Sequence, residues 1–244
     1  MTKTVILIPS RFSASRLPGK PLLKINGKSI ISHVVDKAKA SKIGDVYVAT
    51  DKEIIVEDVK SNGGKAILTS KYHKTGTDRI YECFQKLNLR NIDYIINLQG
   101  DEPNINLNDL KHFNNLITKN NPEIGTLASK INETNINNKN IVKVITKNKI
   151  TNESFPFALD FKRNILNNMP YNYHHIGIYS YTPEVLKKFV KLKQTKNEKI
   201  QKLEQLRLME NKISIDVGLA ETRPIGVDTH EDYMELKKIM EYKN

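Results

Sequence analysis

From residue 3 to about residue 120 the chain alternates short apolar runs with segments of helical apolar spacing, and the apolar runs end in polar turns. Residues 3–9 read as a buried strand. Residues 29–41 set Ile30, Ile31, Val34, Val35 and Ala38 at helical spacing. Residues 45–50 (DVYVAT) read as a second strand ending at Asp51, and 52–64 as a helix stopped by Gly63-Gly64. KAIL is a short third strand, DRIYECFQKL a helix, 93–99 (DYIINLQ) a fourth strand and LNDLKHFNNLITK a helix. This alternation predicts an α/β fold, a mostly parallel sheet flanked by helices on both faces. Ligands of such sheets bind beyond the carboxyl ends of the strands. That directs attention to residues 10–20, 51 and 99–103.

The second half is less regular. IGTLAS, VKVITK and YHHIGIYSY (173–181) read as strands, 132–140 as loop, and Thr182-Pro183 as a helix start. KIQKLEQLRLMENK (199–212) reads as one helix, ISIDV as a strand and THEDYMELKKIMEYK as a final helix. No repeat or linker is visible. The expectation is a single domain over 1–244, with a nucleotide-binding part at about 1–125. A segment at about 126–225 is then inserted to cover the site or make a dimer contact.

The net charge of +12 raises the question of a nucleic-acid partner. The cations are 32 Lys and only 7 Arg, interleaved with 26 Asn and with Glu along the whole chain, and Trp is absent. Nucleic-acid binders cluster their cations and add aromatics for stacking, so no nucleic-acid partner is expected. The Lys bias makes each retained Arg informative, because Arg supplies a planar bidentate fork that Lys cannot. The single cysteine, Cys83, excludes an intramolecular disulfide and reads as a buried, inert thiol suited to a reducing compartment. VILI is too short for a signal peptide, and no run nears the ~20 apolar residues of a membrane helix. A cytoplasmic protein with no membrane partner is expected.

Neither G-x-G-x-x-G nor a complete Walker A motif occurs. The opening loop, IPSRFSASRLPGKPL (8–22), leaves a core strand and presents Arg11, Arg16 and Lys20, with Pro18-Gly19 shaping it. Backbone N–H groups at a strand end, a glycine permitting close approach and three cations suit a triphosphate. The alternative is a solvated basic loop. In LQGDEP (98–103) Asp101 and Glu102 follow a buried strand. A carboxylate there suits a hard cation such as Mg2+ held together with phosphate oxygens, or an ordinary turn. In GVDTHED (226–232) Asp228 either caps the last helix, with Asp232 near the capping-box position, or converges on Asp101 to hold one or two Mg2+ ions. TGTDR (75–79) lines a nucleotide or caps a helix. His174 and His175 are adjacent on a strand and point to opposite faces, a poor metal pair. Glu204 and Gln205 read as a solvated helix face.

Taken together, IPSR-x4-RLPGKPL, VATD, TGTDR, NLQGDEP, HHIGIYSY, KLEQLR and GVDT resemble the 3-deoxy-manno-octulosonate (Kdo) cytidylyltransferases, the CMP-Kdo synthetases. The motifs run in that family's order from residue 4 to 232. The resemblance implies the reaction CTP plus Kdo to CMP-Kdo plus diphosphate, for lipopolysaccharide. It also implies a nucleotide-diphospho-sugar-transferase fold, a homodimer and Mg2+. It puts Asp101 and Asp228 on metal and Arg11, Arg16 and Lys20 on the triphosphate. Ser10, Gly19, Thr75, Gly76, Thr77 and Arg79 then fall near the nucleotide, and Gln99, Arg163, His175, Glu204 and Gln205 at the sugar acid. One stretch departs: ALDFKRNIL (158–166) carries Asp160 for the family's Tyr and Lys162 for its Ser, with no proline after Arg163. A modified Kdo, such as its 8-amino form, or a sialic-type acid is the alternative substrate.

Overall fold

The computed structural model describes residues 2–13, 16–132, 138–164 and 171–242. Residues 14 and 15 of the opening loop, 133–137 of the 132–140 loop and 165–166 of the departing stretch lie outside these. The chain divides into two compact units, residues 1–111 with 224–244, and residues 112–223.

The first unit runs β1 (Thr4–Ser10), a hairpin of β2 (Lys24–Ile25) and β3 (Lys28–Ser29), α1 (Ile30–Ala40), β4 (Gly44–Thr50), α2 (Glu53–Ser61), β5 (Ala66–Leu68), α3 (Gly76–Leu87), β6 (Tyr94–Asn97) and the start of α4 (Leu107–Asn120). β1 is central and pairs in parallel with β4 on one side and β6 on the other, and β5 adds beyond β4. Being covered on both faces, β1 is apolar from Val5 to Pro9 rather than alternating. α1 buries Ile30, Ile31, Val34, Val35 and Ala38. Each buried Val or Ile contributes roughly 1.5–3 kcal/mol, so this face outweighs the ~1 kcal/mol of the Ser29 cap that opens the helix.

Register decides where the loops emerge. Ser10 aligns with Thr50 across the β1–β4 ladder, and Leu7 with Asn97 across β1–β6. The segments after β1, β4 and β6 therefore leave the same edge. Residues 224–242 return to this unit. Val227, Tyr233 and Leu236 pack on Ile25 and Ile30, and the Tyr233 hydroxyl donates to Lys24 O at 2.7 Å.

The second unit holds β7 (Ile124–Lys130), β8 (Lys143–Thr146), β9 (Ala158–Lys162), β10 (Asn172–Tyr181) and β11 (Asp216–Leu219). β10 lies antiparallel to β7 and β8, β9 antiparallel to β8, and β11 parallel to β7. The single helix expected at 199–212 is two short ones, Lys196–Gln201 and Leu206–Glu210. The break comes at Lys202, which takes a left-handed conformation while Leu203 N bonds back to Glu198 O. Buried Arg207 then reaches Glu198 with a two-pronged contact of 2.8 and 2.5 Å, which a continuous helix with its i+9 spacing would not form. No helix among the described residues is long and apolar enough to cross a membrane.

Candidate active site

A pocket of about 280 Å³ opens at the carboxyl edge of the first unit's strands, lined by residues from the segments after β1, β5 and β6 and by Asp228. Ser10, Arg11, Arg16, Lys20, Thr75, Gly76, Arg79, Gln99, Asp101 and Asp228 all line it. Five cations, with Lys74 the fifth, face two carboxylates there.

Local chemistry shapes each wall. Gly19 sits at φ 71 and donates its N–H to Phe12 O at 3.2 Å, closing the opening loop before the turn Lys20–Leu22. A side chain at Gly19 would be strained at that φ. At Gly100 a Cβ would stand 2.7 Å from Pro9 O, so only glycine lets this turn press against the end of β1. Thr75 caps α3 through Asp78 N while lining the pocket, so its capping and lining roles coexist. Ser10 Oγ is buried with no hydrogen-bond partner among the described residues.

Lys20 binds the two acidic segments together. Its ammonium donates to Asp101 Oδ2 at 2.6 Å and to Asp228 Oδ1 at 3.3 Å. Arg16 Nη2 is 2.8 Å from Asp228 Oδ2. The last helix is capped by Thr229 with Asp232 in a capping box, which corrects the alternative that Asp228 is its cap and leaves that carboxylate for the cations. Glu102, beside Asp101, is pushed up to about 8 by burial and then by Asp101 and Asp228, so it is neutral at pH 7 and adds no charge. Two carboxylates brought to one point offer hard oxygen donors for Mg2+, which takes one or two carboxylates and completes its shell with phosphate oxygens and water.

Arg79 is less a free ligand than a strut. Its Nη1 donates to Thr69 Oγ1 at 2.7 Å and to Ser70 O at 3.3 Å, and Nη2 lies 3.6 Å from Asp51 Oδ2, both side chains being almost dry. Asp51 Oδ1 in turn accepts from Phe12 N at 3.2 Å, next to Arg11. Asp51 is the residue whose role sequence reasoning left unassigned. Its position after a strand marked it, but its partners are distant in sequence. His73, also unassigned, lines the pocket and pairs with Glu82.

Arg163, His175, Glu204 and Gln205 belong to the second unit and are described within it. His175 Nε2 is 3.1 Å from Thr126 Oγ1, and its ring meets Phe161 edge-on. Burial, then His174, pushes it down to about 3, so it is neutral at pH 7. Arg163 spends its guanidinium on the carbonyls of Gln201, Lys139 and Asn140. Glu204 and Gln205 lie in the turn between the two short helices, and Gln205 is buried, so neither is on the solvated helix face that their spacing suggests.

A family model described as cytidylyltransferase matches residues 5–215. The chain is a member of the cytidylyltransferase family. It is 42% identical over 254 residues to a 3-deoxy-manno-octulosonate cytidylyltransferase of Thermodesulfovibrio yellowstonii, covering 97% of this chain and 98% of that one. A relative of the same description from Bartonella bacilliformis is 40% identical, covering 98% of each. Among solved structures, a CMP:2-keto-3-deoxy-manno-octonic acid synthetase complexed with CTP superposes at TM-score 0.91 with 35% identity over 100% of both chains. A UDP-glucose pyrophosphorylase complexed with UDP-glucose superposes at 0.73 with 16% identity, a likeness of fold. As a cytidylyltransferase the chain is a nucleotidyltransferase enzyme, and its nucleotide-diphospho-sugar-transferase fold agrees with the sheet expected from the sequence.

Proposed function

We propose that this enzyme transfers CMP from CTP to the anomeric hydroxyl of Kdo, releasing diphosphate. The observation that carries this reading is the meeting of Arg16 and Lys20 with Asp101 and Asp228 at the strand ends, in a chain 42% identical to a 3-deoxy-manno-octulosonate cytidylyltransferase. Transfer of this kind is mainly positioning and charge stabilisation. Arg11, Arg16 and Lys20 bind the triphosphate, and Ser10 and the 75–77 turn, with Arg79 behind them, hold the nucleotide. Asp101 and Asp228 would hold Mg2+, which when bound supplies charge neutralisation to phosphate oxygens and acidifies a coordinated hydroxyl. His175 is too weak a base at pH 7 to be given a proton-abstracting role. Within the first unit, Gln99 lines the same pocket and is assigned to the sugar acid.

The same reading takes the enzyme as a cytoplasmic homodimer whose product feeds lipopolysaccharide assembly. Light scattering on the purified chain tests the dimer.

The test of function is diphosphate release from CTP with Mg2+ and a panel of sugar acids: Kdo, its 8-amino form and a sialic-type acid. Kdo should be turned over at least about tenfold faster than the others, the ratio that corresponds to the net worth of one hydrogen bond, about 1–1.5 kcal/mol. Turnover of another acid without Kdo would overturn the substrate, and no release with any acid would overturn the reaction.

A further inference from the structure

We infer that Lys20 occupies the divalent-cation seat until a nucleotide draws it away, so that nucleotide and metal bind cooperatively. This rests on the reading of Asp101 and Asp228 as the metal-holding carboxylates.

The ammonium contacts both carboxylates at once, 2.6 Å from Asp101 Oδ2 and 3.3 Å from Asp228 Oδ1. It therefore stands where the two oxygens converge, which is the point that a hard cation bound by both would take. Mg2+ requires oxygens at about 2.0–2.1 Å. An ammonium already bridging them leaves no such space, and a divalent cation beside it meets repulsion at close range. A metal ion reaching the nucleotide-free site must first expel Lys20.

Lys20 and Arg16 differ as competitors. The Arg16 side chain is 65% exposed, and an ion pair that wet is worth little. The Lys20 side chain is 12% exposed, so its contacts are less screened. Its backbone is fixed by the turn Lys20–Leu22, which leaves the flexible four-carbon stem as the moving part. A triphosphate in the same pocket offers that ammonium oxygens of higher charge. Lys20 then swings from carboxylate to phosphate, and the seat opens as the nucleotide arrives. Linkage makes the effect reciprocal: metal must raise nucleotide affinity by the factor by which nucleotide raises metal affinity.

The experiment titrates Mn2+ into the full chain, without and with CTP and with no sugar acid, following bound Mn2+ by electron paramagnetic resonance. Wild type, Lys20→Met, Lys20→Gln, Asp101→Asn and Lys20→Met/Asp101→Asn are compared, each checked by thermal melting; Lys20→Gln serves if Lys20→Met does not fold. Without CTP, wild type should bind weakly, and the neutral Lys20 variants about tenfold tighter or more, the scale of one close charge contact. The double variant should lose that gain. If the Lys20 variants bind no tighter than wild type, while wild type with CTP shows binding that Asp101→Asn removes, the inference falls and the metal reading stands. If no Mn2+ binding depends on Asp101 in either state, the metal reading falls and takes this inference with it.

Discussion

The backbone N–H of Val227 donates to the carbonyl oxygen of Asp101 across 3.0 Å. This bond joins the turn after β6 to the segment before the last helix, and it brings Asp101 and Asp228 to one ammonium.

From that geometry, Asp101→Asn and Asp228→Asn should each lower kcat by about 10²–10³-fold, the cost of removing one preorganised charge contact. Both side chains are partly exposed, so melting temperatures should change little. Diphosphate-release kinetics beside thermal melts check this. Near-normal turnover in either variant would remove that carboxylate from the metal role.

Arg11 and Arg79 line the same pocket and should behave differently. Arg11 is exposed, so Arg11→Ala should raise KM for CTP by about tenfold, the worth of one charge-assisted contact, without shifting stability. Arg79→Ala strands the nearly dry Asp51 and should cost about 3–5 kcal/mol in urea unfolding. Arg79→Met with Asp51→Asn should recover a large part of that. An unchanged unfolding midpoint for Arg79→Ala would make Arg79 a ligand contact rather than a strut.

Burial pushes Asp216, on β11, up to about 6. Between its unfolded value of 3.8 and about 6 the native state holds more protons than the unfolded state. Stability contributed by this group is therefore full at acid pH and is lost as pH rises through 6. Asp216→Asn should match wild type near pH 4 and exceed it by about 1–2 kcal/mol at pH 7, after allowance for solvent screening. Denaturant melts at the two pH values decide; a constant difference would mean that the charge is not the cause.

Cys83 is buried on α3, and burial pushes its thiol up to about 12. Since the thiolate is the reactive form, alkylation at pH 8 should be negligible in native protein and rapid in urea. Fast labelling of the native chain would contradict the packing of this helix.

The strands β1, β4, β5 and β6 and the helices of the first unit were legible because their apolar residues follow periods of 2 or 3.6, or run unbroken in β1, whereas the two-residue strands β2 and β3 are too short to show a period. The scarce Arg residues fall in two kinds of place. Arg11 and Arg16 line the pocket, whereas Arg207 supplies its fork to Glu198 and stacks over Phe189 inside the second unit. The helix expected at 199–212 failed because the capping box at Thr195 and the left-handed Lys202 outweigh apolar spacing. Thr229 as cap was readable in Thr-x-x-Asp, a pattern that the more conspicuous Asp228 obscured.

By itself the sequence determined that strands alternate with helices, that polar segments follow the strands, and which side chains those segments carry. These are local properties, set by spacing and by turn chemistry within a few residues. Only the tertiary structure decided that Asp101 and Asp228 share one lysine, that Asp51 anchors Phe12 N, and that Arg79 is held between Thr69 and Asp51. These contacts depend on parallel register and on the last helix packing against Ile25 and Ile30, and no local period encodes them.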